Sequence, residues 1–239
     1  MLELNKVICG NALEVLKSMP DEVVDCIITS PPYYRKRRYG NDAVLVWDGD
    51  KDCEHDWDEQ NFCKKCGAWR GELGLEPSPQ LYVQHLLQIT AELKRVLKKT
   101  GTFFLNISDT YSQVSKDGMR QKSMMLVPER LLLGLYEQGW YIRNKIVWIK
   151  PNAMPESVKN RFSNRYEFIY FLTKSKHYYF DLDSVRLLQR NKIDVKSLTL
   201  LQVTPTNSPQ RRDKPSEHDD VSDKARELNA SKFLTATMQ

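Results

Sequence analysis

Three thiols and one imidazole fall in one short stretch of this chain, as Cys53-x-His55 and Cys63-x2-Cys66. The second pair, Cys63-Lys64-Lys65-Cys66-Gly67, reads as a zinc knuckle in which the glycine permits the turn and the lysines face water. One His and three Cys thiolates suit tetrahedral Zn2+ in a closed structural site, and four protein ligands leave no open position for catalysis. The Cys-x-His opening is tighter than the usual Cys-x2-Cys. The alternative is a surface loop that happens to carry thiols. A redox pair is disfavoured, because Cys63 and Cys66 do not open a helix after a strand.

A second cluster of chemistry is Thr29-Ser30-Pro31-Pro32-Tyr33-Tyr34, directly after the apolar run Val23-Val24-Asp25-Cys26-Ile27-Ile28. Two adjacent prolines cannot donate to a ladder, so a strand must stop there and the loop after it is stiff. Clefts in open α/β sheets lie at the carboxyl ends of strands, which places this polar and aromatic loop where ligands bind. For Tyr34, packing at the loop edge is as good a reading as ligand contact. Four bases, Arg35, Lys36, Arg37 and Arg38, follow at once. Such a run is usually a solvated face, but beside a cleft it could also hold phosphates without reading sequence.

The elements that must position these residues follow from periodicity. Val7–Cys9 reads as a short strand, and residues 12–19 as a helix with Asn11 as N-cap. The strand at 23–29 follows, then an irregular stretch over 35–77. Pro79 opens a long helix to about Lys98, with an inward stripe of Leu81, His85, Leu86, Ile89, Leu93, Val96 and Leu97. His85 in that stripe is expected to be a satisfied core residue rather than a ligand. Further strands are expected at 102–107, 141–149 and 167–173, with a helix at 128–138, and the last strand pair antiparallel because its connection is short. Trp148, Lys150 and Asn152 end one of these strands and are candidates to line the same cleft, whereas Trp69 is expected to pack against the metal loop. Alternating strands and helices imply an α/β fold, a Rossmann-like mixed and mostly parallel sheet with an inserted zinc loop.

The segment 29–34 closely resembles the Ser-Pro-Pro-Tyr catalytic loop of the amino-methylating DNA methyltransferases, which modify N4 of cytosine or N6 of adenine. The resemblance extends to the strand–turn–helix of 5–16, the helix–Gly–strand unit of 93–106, and the strand regions Ile146–Asn152 and Asn164–Phe171. It implies that the Ser30 side chain and the Pro31 carbonyl accept hydrogens of the target amine, with Pro32 stiffening the loop and the Tyr33 ring stacking on a flipped base. A serine at the first position leans toward cytosine, with N6-adenine as the alternative. It implies S-adenosylmethionine as methyl donor and double-stranded DNA as partner, with Arg35, Lys36, Arg37 and Arg38 at the DNA entry. Asn11 sits where many relatives carry an acidic residue that bonds the adenine of the cofactor; a simple helix cap explains it equally well.

The chain departs from that pattern after Gly139, its last glycine. Such enzymes carry a Phe-x-Gly-x-Gly cofactor loop, whose glycines let the backbone approach the methionine part of S-adenosylmethionine. Residues 140–239 cannot form it. The expectation is therefore a catalytic half without its cofactor half, from a truncated or frame-shifted gene, or from a split enzyme completed by a second chain. A catalytically silent DNA-binding remnant is the rival from another class.

Residues 1–186 are expected to be the catalytic region, with 35–77 as the inserted zinc-binding loop. Residues 187–239 contain one aromatic, Phe233, and are dominated by polar and charged side chains. Such a tail cannot bury enough apolar area to offset the entropy of ordering it, although Leu198–Leu201 could add a short element. The 239 residues suit one large α/β domain with a tail. A net charge of +5 permits nucleic-acid binding without demanding it. Five cysteines, with Cys9 and Cys26 in apolar runs, argue against a disulfide framework. No run has the length of a membrane span and no secretory signal is evident, so a cytoplasmic location is expected.

Overall fold

The computed structural model describes residue 5 and residues 7–115 and 120–186. They belong to the unit Met1–Val185 and its immediate end; the expectations for 187–239 lie outside the described residues.

The elements are α1 (Ala12–Ser18), β1 (Val24–Thr29), β2 (Val44–Trp47), β3 (Trp69–Glu72), α2 (Pro79–Val96), β4 (Leu97–Ile107), α3 (Val127–Glu137), β5 (Tyr141–Ile149), β6 (Tyr166–Thr173) and α4 (Leu182–Val185). Four strands form a mixed sheet in the order β1-β4-β6-β5, and β2 and β3 form a separate hairpin sheet. β1 runs parallel to β4, whereas β6 is antiparallel to both β4 and β5. Strands β1, β4 and β5 therefore point the same way and β6 alone runs against them. The antiparallel β5–β6 pair agrees with its short connection.

β4 is the centre of the sheet, and its side chains alternate as a buried strand requires. Leu97, Gly101, Phe103, Leu105 and Ile107 are buried on the face toward the helices. There they join Tyr82 and Leu86 of α2, Leu131 and Leu135 of α3, and Trp140 in one core. The other face carries an aromatic layer in which Phe104 stacks on Phe171 at 4.8 Å, with Tyr178 and Phe180 around Phe171.

Several boundaries differ from the sequence-based expectation. Val7–Cys9 is not a strand, since nothing among the described residues pairs with it; Val7 and Ile8 are exposed. Cys9 and Cys26 are also exposed. Helix α2 ends at Val96, where the Leu97 N–H bonds back to Leu93. β4 begins at once, because Leu97 is already in register with Val24 of β1. The inward face of α2 is turned by one residue, so that Tyr82, His85, Leu86 and Thr90 are buried while Leu81 and Ile89 are half-buried. The stretch 35–77 is not wholly irregular either. β2 and β3 pair across it in register from Val44↔Glu72 to Trp47↔Trp69, and the Cys/His residues lie in the loop between them.

Candidate active site and metal centre

Ser30 follows the last residue of β1, Asn106 is the penultimate residue of β4, and Lys150 follows β5. Glu167 is the second residue of β6, which runs the other way. All four therefore gather at one end of the sheet, the carboxyl end of its three like-directed strands, where open sheets bind ligands.

The loop after β1 is tied down from several sides. The Tyr33 hydroxyl lies 2.6 Å from Asn106 Oδ1 and 3.1 Å from Glu167 Oε2, so its hydrogen is shared between two acceptors. Ser30 Oγ is 3.2 Å from the Tyr33 hydroxyl and can donate to it. Asn106 is itself oriented by donating from Nδ2 to the Phe168 carbonyl at 3.0 Å. Lys150 Nζ pairs with Glu167 Oε1, leaving the other carboxylate oxygen for Tyr33. Burial is the main reason the Tyr33 phenol is pushed up to about 12; the Ser30 hydroxyl works against it and the Glu167 charge reinforces it.

Behind the loop, the Tyr82 hydroxyl of α2 donates to the Pro32 carbonyl at 2.6 Å. Among the described residues no donor is aimed at the Pro31 carbonyl, and Ser30 is exposed. The loop thus leaves the Ser30 side chain at the surface and the Pro31 carbonyl without a donor among the described residues, next to an anchored ring. Tyr34, by contrast, is a core residue whose hydroxyl donates to the Glu76 carbonyl at 3.2 Å.

The basic run divides in two. The Arg35 guanidinium donates to the Pro77 carbonyl at 3.0 Å and lies 5.2 Å from the Tyr34 ring centroid, so it braces the loop. Lys36, Arg37 and Arg38 are exposed, and Arg38 borders an open hollow of about 510 Å³ together with Asn41, Asn61 and Arg70. Asn11 caps α1, its Oδ1 accepting from the Leu13 N–H at 2.9 Å. Its Nδ2 hydrogens take no part in that cap and remain available to a ligand.

Cys53, His55, Cys63 and Cys66 come together, with their ligand atoms all within 4.8 Å of one another. Burial and the neighbouring thiols push the Cys53 thiol up to about 12. Burial also resists ionisation of Cys63, but hydrogen bonds from the Cys66 backbone, the His55 side chain and the Lys65 backbone outweigh it and bring this thiol down to about 5.

Sequence reasoning missed Asn106, Glu167 and Tyr82 as partners of the loop. Asn106 and Glu167 stood inside strand segments already singled out, and their one local signal was a polar residue at the end of an apolar run.

Residues 24–225 match the model of a family described as DNA methylase. Among curated proteins, the chain is 36% identical over 208 residues to the type II methyltransferase M.Cfr9I of Citrobacter freundii, covering 77% of this chain and 60% of that protein. It is 38% identical over 187 residues to M.SfiI of Streptomyces fimbriatus, covering 74% of this chain and 38% of the relative. It thus spans less than two thirds of the length of either. Among solved structures, the fold is similar to the PvuII DNA methyltransferase (cytosine-N4-specific), with a TM-score of 0.50 at 19% identity over 84% of this chain and 64% of that one. With the family model matched over residues 24–225, most of its length, this chain belongs to the DNA methylase family.

Proposed function

We propose that the chain carries the base-binding and catalytic part of a site-specific DNA methyltransferase that modifies N4 of cytosine, in a restriction–modification setting. The observation that supports this most directly is the anchored loop, in which exposed Ser30 stands beside a ring whose hydroxyl is held by Asn106 and Glu167. An exocyclic amine is a poor nucleophile because its lone pair is conjugated with the ring. Acceptors on its two hydrogens favour a tetrahedral nitrogen, and they act most strongly as charge develops there. In this reading the Ser30 and Pro31 oxygens are those acceptors and the Tyr33 face holds the flipped base. S-adenosylmethionine, when bound, supplies an electrophilic methyl group on a sulfonium sulfur. The Ser30 and Pro31 oxygens would hold the amine with its lone pair toward that methyl group, and the methylated nitrogen would release its extra proton to solvent.

The residues that would bear on the cofactor are Asn11 and the end of β1. The free Nδ2 of Asn11 fits an acceptor on the adenine ring, and the glycine turn expected for the methionine part is left to a segment outside the described residues, in a longer chain or a second one. The exposed Val7 and Ile8, together with the outer edge of β1, which pairs with no strand among the described residues, are consistent with that docking position. Lys36, Arg37 and Arg38 hold phosphates of double-stranded DNA, while Arg35 braces the loop.

Nucleoside analysis tests this reading. DNA from a methylation-free host producing the protein, completed with its cofactor-binding part, should contain N4-methylcytosine, and Ser30→Ala should abolish it. N6-methyladenine instead would overturn the base assignment. Unmodified DNA from the completed protein would overturn the activity.

A further inference from the structure

Cys66 Sγ lies 3.4 Å from His55 Nδ1, and Cys53 Sγ lies 3.8 Å from Cys63 Sγ. In a tetrahedral site, Zn–S bonds of about 2.3 Å and a Zn–N bond of about 2.0 Å set S–S edges at roughly 3.8 Å and S–N edges at roughly 3.5 Å. Two of the six edges thus have the lengths of a zinc tetrahedron, and all four ligand atoms lie within 4.8 Å of one another with nothing covalent joining them. Cys63 is 3% exposed, which does not suit a loop of surface thiols. The knuckle backbone is formed: the Gly67 N–H bonds the Cys63 carbonyl at 2.8 Å, and the Cys63 N–H bonds the Ala68 carbonyl at 2.7 Å. Gly67 takes φ +76°, a left-handed conformation that glycine allows.

A continuous path leads from this knuckle to the catalytic loop. Gly49 packs so closely against it that a Cβ there would sit 2.9 Å from Cys66 Sγ and 2.6 Å from Ala68 Cβ. The preceding residue, Asp48, meets His85 Nε2 at 3.2 Å and Gln88 Nε2 through its other oxygen. Trp47 and Trp69, cross-strand partners on β2 and β3, stack against the His85 ring at centroid distances of 4.5 and 5.6 Å. The other ring nitrogen of His85 lies 2.9 Å from Glu76 Oε1, and both of these side chains are fully buried. Glu76 Oε2 accepts the Gly74 N–H at 2.8 Å. Gly74 in turn accepts the Arg35 N–H at 2.7 Å and lies under the Pro32 and Tyr33 carbonyls.

We propose that Cys53, His55, Cys63 and Cys66 bind one structural Zn2+, and that this ion, by fixing the β2–β3 loop, sets Asp48, His85 and Glu76 so that Gly74 props the Ser30–Tyr34 loop from behind. His85 is a positioning residue in this relay. A buried imidazole held by a carboxylate at each nitrogen is fixed in place and ring orientation, which suits a rigid strut. The catalytic meaning of the strut rests on the proposed methyl transfer; the metal and the relay do not.

The test uses the full chain and needs no methyl transfer. Elemental analysis should find one zinc per chain, lost in a Cys63→Ser, Cys66→Ser double variant. Cobalt substitution should give the intense visible bands of a tetrahedral thiolate site. Hydrogen exchange reads the relay: the Gly74 and Arg35 amides should exchange at least tenfold faster in His85→Gln, which keeps its zinc, while the amides of β4 and β6 stay protected. Purified protein without metal, or with a Cys53–Cys63 disulfide in its place, would overturn the metal site. Retained zinc with unchanged Gly74 and Arg35 exchange in His85→Gln would overturn the relay and leave the metal site standing.

Discussion

The Tyr33 hydroxyl and Asn106 Oδ1, 2.6 Å apart, join the loop after β1 to the end of the neighbouring strand β4. A ring whose hydroxyl is held at a strand end keeps its face in one orientation, which a stacking platform needs. The hydroxyl and the face of Tyr33 then have separable roles. Tyr33→Phe keeps the face and loses the hydroxyl's bonds with Asn106, Glu167 and Ser30, each worth about 1 kcal/mol in stability. Tyr33→Ala loses the face as well and should weaken binding of DNA with an unpaired target base by about 1–3 kcal/mol. Titration of both variants with mismatched duplexes checks this, and equal affinities would contradict the stacking role.

The raised Tyr33 phenol makes a signed prediction about alkaline stability. Its ordinary value is 10.0 and the folded site holds it at about 12. The folded chain therefore keeps this proton at pH values where the unfolded chain has lost it. Its contribution is fully present below pH 10, and stability falls as pH rises from about 10 to about 12. Tyr33→Phe should show a shallower loss than the parent across that window in urea melts. Parallel slopes would mean that the phenol titrates as it does in the unfolded chain.

Much of the scaffold was legible because its signals are local. β5 was expected over Tyr141–Ile149 and is found there, and α2 starts at Pro79 as expected, with the structure adding Ser78 as its cap. The double proline that ends β1 needs no tertiary information. The partners of the loop were not legible, because Tyr33 and Glu167 are brought together only by strand order in the sheet. The hairpin was hidden for a related reason: β2 and β3 are four residues each and lie on either side of the metal loop. His85 read correctly as a satisfied core residue, but the acids that satisfy it, Asp48 and Glu76, come from chain segments that periodicity does not connect.

Gly74 should tolerate no side chain. It takes φ +95°, and a Cβ would sit 3.1 Å from the Tyr33 carbonyl and 3.2 Å from the Pro32 carbonyl. Gly74→Ala should cost about 1–3 kcal/mol in thermal or urea unfolding through backbone strain alone. It should also displace the Ser30–Tyr34 loop, so on the proposed function methyl transfer by the completed protein should fall further than folded-protein content. A neutral Gly74→Ala would show that the turn has freedom the close approach does not suggest.

Lys150 should matter through Glu167. Its ammonium pairs with one carboxylate oxygen while Tyr33 uses the other. Glu167 is 15% exposed and Lys150 41%, so water screens the pair only in part. Lys150→Met should cost about 1 kcal/mol, between the values for surface and buried pairs. Phenolate absorbance should show the Tyr33 titration moving further up, since the unpaired Glu167 charge is then less offset. A titration that moves down would place Lys150 outside this network.

The basic run should split in a salt-dependence experiment. Arg35, Lys36 and Arg37 are all exposed, but the Arg35 guanidinium is engaged by the Pro77 carbonyl and the Tyr34 ring. Each phosphate contact releases condensed counterions, so its removal lowers the slope of log affinity against log salt by about 0.9. Lys36→Ala and Arg37→Ala should each reduce that slope for duplex DNA with little change in melting temperature. Arg35→Ala should do the reverse, lowering the melting temperature while leaving the slope nearly intact, because its guanidinium is already used within the fold. Equal slope changes in all three would show that Arg35 leaves its internal partners when DNA arrives, and that the run acts as one electrostatic patch.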